Sequence, residues 1–329
     1  MVQSITFVLH DPGSMIGPLE ISPETSTPNV YSTEDQLPFK ALRFLIYSHF
    51  WLAIGMAAQV LWMGELFGFS ALRPALAIGA GLIAAYGTMR ILRSLEPHPI
   101  PSPHINWVIQ NRSIMTMITI CGAVISLFAV YPLHFVFGRW TLVAAVLVAL
   151  YLTPLRNKKG SSIGLRNIPF LKAPLIAGVC TLVTIGLSAD VVFVVEREML
   201  KWIAIPQFAF FLAITATYDI ADVDHDDRGL RTFPQVFGVT GTKLLAIILL
   251  VPWCAFYIIS MYLSHVLEDP DRNGQALDLM DVLPLSGLVL TAFIIARAKP
   301  GTNEWYYKVW LDGALLLIPL LGWIGSIFK

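Results

Sequence analysis

Nine mainly apolar stretches of the chain run for at least 15 residues without an Asp, Glu, Lys or Arg. They leave little room for any architecture except a membrane-embedded helical bundle. They cover 44–64, 74–89, 113–138, 140–155, 173–189, 202–218, 244–267, 282–296 and 313–328. A spanning helix needs about 20 mainly apolar residues, so the shortest of these require roughly one turn of polar flank to complete the crossing. Pro132 and Gly138–Arg139 supply the break between the third and the fourth. Charged residues make up 13% of the chain, against about 25% in soluble domains, which is too few to cover a soluble surface of this size. Lys plus Arg and Asp plus Glu both number 22, so there is no basic excess to meet a nucleic-acid backbone. The three cysteines, Cys121, Cys180 and Cys254, lie within apolar runs at no metal-binding or disulfide spacing and read as small buried hydrophobes.

Two parts follow: a polar tail over residues 1–39, without the basic and apolar regions of a signal peptide, and a transmembrane domain over 40–329. Basic residues orient the bundle. Sixteen of the 22 fall in the N-terminal flank and in the loops after the second, fourth, sixth and eighth segments. That asymmetry predicts a cytoplasmic N-terminus and cytoplasmic even-numbered loops, with the C-terminus on the opposite side.

The sixth segment ends in the most informative stretch, Thr215 to Gly238, where five carboxylates fall within nine residues. Charge at the edge of an apolar span is costly unless it is paired or used. On a continuous helix, Asp219, Asp222 and Asp226 share one face within about 60°, and Asp224 and Asp227 lie off it. Three carboxylates on one face suit a hard divalent cation such as Mg²⁺, which takes one or two carboxylates and bridges to phosphate oxygens. The competing account is a solvated acidic helix end neutralised by Arg228 and Arg231.

The pattern Asp219-x-x-Asp222-x-x-x-Asp226, followed by Asp227-Arg228-Gly229-Leu230-Arg231-Thr232-Phe233-Pro234 and Gly238, resembles the second aspartate motif of the UbiA superfamily of intramembrane prenyltransferases. Tyr151-Leu152-Thr153-Pro154-Leu155-Arg156 is similar to that family's Y-[ST]-P-P-[LF]-[KR] segment, and Leu165 to Lys172 sits where its members carry a basic, Asn-containing entry to the fifth helix. The resemblance implies an all-α bundle of nine transmembrane helices with the site at the cytoplasmic face. It also implies Mg²⁺-dependent ionisation of an isoprenyl diphosphate and transfer of the prenyl group to a lipophilic acceptor, among membrane lipids. Asp219, Asp222 and Asp226 would then be the metal ligands. Arg156, Lys172 and Asn167 would line the diphosphate pocket, and Tyr151 would orient or donate hydrogen bonds.

Family enzymes carry a further aspartate motif at the end of the second helix, and this chain does not. It reads Ala84-Ala85-Tyr86-Gly87-Thr88-Met89-Arg90-Ile91-Leu92-Arg93 there, with Tyr86, Arg90 and Arg93 at i, i+4 and i+7 on one helical face. Arginine forks suit phosphate oxygens, so Arg90 and Arg93 read as direct diphosphate binders in place of a second metal. The alternative makes them end anchors, or partners of the aspartates in a metal-free core. The first reading favours a prenyltransferase or a membrane terpene cyclase, the second a catalytically silent lipid- or partner-binding relative. Transport ranks last, because the apolar segments show no buried mid-helix charge. The proline-rich run Glu96 to His104 reads as a rigid loop with outward-facing histidines, Asp312 as a structural partner of Lys308, and the tryptophans and tyrosines, Trp62 and Tyr307 among them, as interfacial belts.

Overall fold

The computed structural model describes residues 39–68, 70–95, 102–131, 134–152, 155–156, 162–163, 165, 168–186, 194–224, 226–268 and 279–327. The chain is all-α. Its helices, in order, are α1 (Lys40–Tyr47), α2 (Phe50–Phe67), α3 (Leu72–Ser94), α4 (Pro103–Gln110), α5 (Arg112–Val130), α6 (His134–Leu152), α7 (Lys172–Thr181), α8 (Val194–Asp222), α9 (Phe233–Ile248), α10 (Val251–Glu268), α11 (Leu279–Arg297) and α12 (Glu304–Ile327). A two-residue antiparallel pair, Leu155–Arg156 with Ser162–Ile163, follows α6.

The described residues of each of the nine apolar segments lie mainly on helix. Five stretches are long and apolar enough to cross a membrane: Leu72–Ser94, Arg112–Val130, Trp202–Asp222, Phe233–Tyr262 and Glu304–Ile327. A sixth forms when α1 and α2 are taken together across a 59° bend. The remaining three apolar helices are shorter, at Leu142–Tyr151, Lys172–Gly186 and Val282–Arg297, so among the described residues five or six crossings meet the length criterion and nine are not confirmed. Helix α5 ends at Val130 and α6 begins at His134; Pro132, expected to supply the break, lies outside the described residues. Gly138 and Arg139 continue within α6 instead of ending a helix.

Two kinds of contact hold the bundle. Apolar side chains from most helices form one core, in which Met63, Phe210, Trp253, Ile295 and Ile318 are fully buried. Where helices pass closest, small residues allow it. A Cβ on Gly122 of α5 would lie 2.9 Å from the Ala80 carbonyl of α3, and Ser126 Oγ donates to Ala77 O at 2.8 Å. Deep in the bundle a polar chain ties four helices together. Gln59 Nε2 donates to Leu315 O (2.6 Å), Gln207 Nε2 to Gln59 Oε1 (3.1 Å), and Trp253 Nε1 to Gln207 Oε1 (3.0 Å). Each donor finds an acceptor, as burial away from water requires.

The expected aromatic belt divides. Trp202 and Trp305 are exposed, whereas Trp62 and Tyr307 are buried in the core, and Gly322 gives Trp62 the space it fills. Large side chains near helix ends do not separate interfacial from packed roles by position alone. Cys121 likewise departs from expectation, being exposed on α5.

Candidate functional site

The polar end of the bundle gathers the C-termini of α3, α6 and α8 with the N-termini of α2, α7 and α12. Chain direction alternates between successive spans, so residues far apart in sequence arrive at one level. That is how Tyr86, Arg90 and Arg93, Tyr151, Lys172, and the aspartates all reach this end.

The acidic cluster is built by two segments that hold each other. Helix α8 stops at Asp222, so Asp226 lies beyond the helix and not on a continuous face. It returns to its neighbours through an i→i+4 hydrogen bond, Asp226 N to Asp222 O at 2.7 Å. The following turn is fixed by its own side chains. Gly229 N donates to Asp227 Oδ1 (2.9 Å), and Gln235 Nε2 donates to Asp226 O and Asp227 O (3.1 and 3.2 Å). Phe170 N donates to Leu230 O at 3.0 Å, joining this turn to the loop that opens α7. Phe170 and Arg231 flank the contact with positive φ, 62° and 46°, a conformation L-residues adopt only where their surroundings impose it.

That contact delivers Lys172, the first residue of α7, into the carboxylates. Its Nζ lies 3.1 Å from Asp219 Oδ1, 3.1 Å from Asp222 Oδ2 and 2.9 Å from Asp226 Oδ2. The side chains of Asp219 and Asp226 are 3% and 12% exposed, while Asp222 is 56% exposed, so solvent screens the Asp222 pair most. Lys172, expected among the diphosphate binders, is therefore the ion-pair partner of all three aspartates. Arg90 and Arg93 are not: among the described residues no ion pair joins either to the cluster.

The tyrosine and arginine stripe faces the same space. Arg90 is within electrostatic range of Arg93, Tyr86, Asp222 and Glu304, and its Nε is buried without a hydrogen-bond partner. Tyr151 lies within range of Lys172, Arg93, Asp219 and Asp222, and Tyr86 within range of Tyr151, Arg90 and Asp312. Of the expected residues, Lys172 meets the three aspartates directly, Tyr151 and Arg90 lie within range of the cluster, and Tyr86 and Arg93 lie beside those two. The backbone of Arg156 pairs with Ser162, while its side chain and Asn167 lie outside what is described. His98, His225 and Arg166 also lie outside them.

A second polar group, behind Arg90, was not legible as a site in the sequence. His104 is fully buried on α4, a short helix whose start is capped by Ser102 Oγ accepting from Ile105 N at 3.1 Å. This corrects the outward-facing expectation. His104 Nε2 lies 2.8 Å from Tyr47 O, so that nitrogen carries the proton, and Nδ1 is left to accept from Lys308 Nζ at 2.6 Å. Burial, with Lys308, Arg90 and His49 as cationic or polar neighbours, holds the His104 imidazole well below its ordinary value, in the neutral form. Lys308 also pairs with Glu304, while Asp312 accepts from Tyr218 Oη, so the expected Lys308–Asp312 pair is replaced by two others. His49 sits at the α1–α2 bend with φ 66°, its ring 5.2 Å from Tyr86 and 5.1 Å from His104, and its buried Nε2 has no partner. The signal available in the sequence was weak, since His49 interrupts an apolar run as a single polar residue.

Fold and site together define an integral membrane helical bundle with an acidic cluster and an arginine-bearing helix facing one another at one end. No family model and no curated protein sequence matches the chain. A comparison of folds finds the apo structure of a UbiA homologue from Aeropyrum pernix K1, 16% identical, with a TM-score of 0.47 over 86% of this chain and 96% of that one.

Proposed function

We propose that the chain is a UbiA-like intramembrane enzyme that ionises an isoprenyl diphosphate and transfers the prenyl group to a lipophilic acceptor. One observation carries this reading. Arg90, on the helix where the aspartate motif is missing, lies within electrostatic range of Asp222, and Arg93 lies within range of Tyr151, which itself reaches Asp219 and Asp222. A diphosphate between them would meet guanidinium on one side and a cation-holding carboxylate cluster on the other.

The donor set fits Mg²⁺ chemically. Three carboxylates converge on a single cationic centre, and hard oxygens are what this ion takes. As they stand, no three acidic, His or Cys side chains among the described residues are close enough to hold a metal, because the three surround an ammonium. When bound, Mg²⁺ would neutralise charge developing on the departing diphosphate. The remaining work falls to the chain. Arg90 and Arg93 hold diphosphate oxygens through paired N–H donors and stabilise the negative charge as the allylic C–O bond lengthens. Tyr151 orients the diphosphate from the end of α6. The allylic cation must be kept from water until the acceptor captures it, which a site at the end of an apolar bundle favours. The site lies on the cytoplasmic side, by the distribution of basic residues.

One observation favours a second reading, a catalytically silent relative: the ammonium of Lys172 occupies the centre of the acidic cluster as the ion-pair partner of all three aspartates. Binding of a non-hydrolysable geranylgeranyl diphosphate analogue to the purified protein and to Arg90→Asp separates the two. The enzyme reading requires binding by the natural chain and loss in the variant. Equal binding by both, or binding by neither, overturns it.

A further inference from the structure

The position of Lys172 bears on how a metal would enter. Its ammonium is the focus of all three carboxylates, only 14% of its side chain is exposed, and it stands at the start of α7, held there by the Phe170–Leu230 hydrogen bond. The separations of 2.9–3.1 Å suit N–H···O pairs. They are about 1 Å longer than Mg²⁺–oxygen bonds of roughly 2.0–2.1 Å, so the carboxylates are set at the spacing of an ammonium and not of a metal. One point cannot hold both cations. We propose that Lys172 is a tethered cation occupying the divalent-ion position, and that metal loading requires its side chain to swing out of the carboxylate cluster. The inference rests on the reading of that cluster as a metal site.

The flexible four-carbon stem of lysine makes such an exchange feasible where a rigid guanidinium fork would not release. The ammonium offsets part of the repulsion among three carboxylates, two of them nearly buried. After exchange, the displaced charge remains within one side-chain length of the cluster, on the side of Tyr151 and Arg93, where an anionic substrate group would receive it. Affinity for metal is therefore held down by the free energy of the ion pairs it must break, and substrate that draws Lys172 away raises it. The coupling is reciprocal: metal and diphosphate each strengthen binding of the other.

The test is direct binding of Mn²⁺, read by electron paramagnetic resonance on purified protein without substrate, in the natural chain, Lys172→Gln and Lys172→Arg. Lys172→Gln should bind Mn²⁺ about 10- to 100-fold more tightly than the natural chain, the equivalent of losing one or two charge-assisted hydrogen bonds to the competing cation. Lys172→Arg keeps the competing charge and should stay within about threefold of the natural affinity or weaker. The melting temperature gives a second readout, which also shows that each variant is folded. Added Mn²⁺ should raise it strongly in Lys172→Gln and little in the natural chain, by mass action on the folded state. Equal affinity in the natural chain and Lys172→Gln, or an Lys172→Arg variant as tight as Lys172→Gln, overturns the tethered-cation role while leaving the metal site standing. Absence of Mn²⁺ binding in all three overturns the metal-site reading itself.

Discussion

Replacing Asp219 by Asn removes one charge from the cluster and leaves its shape unchanged. Asp219 is the least exposed of the three carboxylates, and its Oδ1 lies 3.1 Å from Lys172 Nζ. Breaking an isolated buried ion pair costs about 3–5 kcal/mol, because the survivor is left uncompensated. Lys172 is not left so: Asp226 remains at 2.9 Å and Asp222 at 3.1 Å. The loss is then one hydrogen bond between charged groups, about 1.5–3 kcal/mol. The same change at Asp222, 56% exposed and screened by solvent, should cost less than about 1 kcal/mol. Asp226, 12% exposed, belongs near Asp219 in this order. Thermal unfolding of the three variants in one detergent checks the series, with Asp219→Asn melting several degrees below the natural chain and Asp222→Asn close to it. An Asp222→Asn variant as destabilised as Asp219→Asn would refute the reasoning, since exposure would then have no bearing on the strength of these pairs.

Helix packing predicts that Gly122→Val, whose side chain meets the Ala80 carbonyl, destabilises the α3–α5 contact by about 1–3 kcal/mol, measurable by thermal unfolding. Gln207→Leu deprives both Gln59 Oε1 and Trp253 Nε1 of partners and should cost roughly 1–2 kcal/mol without altering diphosphate binding. His104 is held neutral in the fold, so below its ordinary value of about 6.5 the unfolded chain binds the extra proton and the folded chain does not. Stability should therefore fall as pH drops from 7 towards 5, and His104→Gln should flatten that part of the melting-temperature profile.

The apolar helices were legible because each segment is uncharged, although among the described residues only five or six are long enough to cross. The location of the site was legible because sixteen of the 22 basic residues share one side with the carboxylate cluster. The carboxylate triad was found for a reason only partly correct. Helical periodicity put Asp226 on the face of Asp219 and Asp222, whereas the helix ends at Asp222 and a single i→i+4 bond brings Asp226 back. Lys172 was grouped with the basic residues by its neighbourhood in the chain. Its capture by the aspartates depends on the Phe170–Leu230 contact between segments 60 residues apart, which no local pattern encodes. The buried group of His49, His104, Lys308 and Glu304 escaped for the same reason. Lys308 and Glu304 are an i,i+4 pair on α12, but His49 and His104 come from other stretches, and only the meeting of α1, α4 and α12 makes them a network.

The central claim is that this site breaks the C–O bond of an isoprenyl diphosphate. Release of inorganic pyrophosphate from geranyl, farnesyl and geranylgeranyl diphosphate, with Mg²⁺ and with aromatic or lipid acceptors, tests it most directly. Release that requires the divalent ion and is lost in Asp219→Asn and Arg90→Asp is the predicted result. No release from any of the three chain lengths, with or without acceptor, would contradict it.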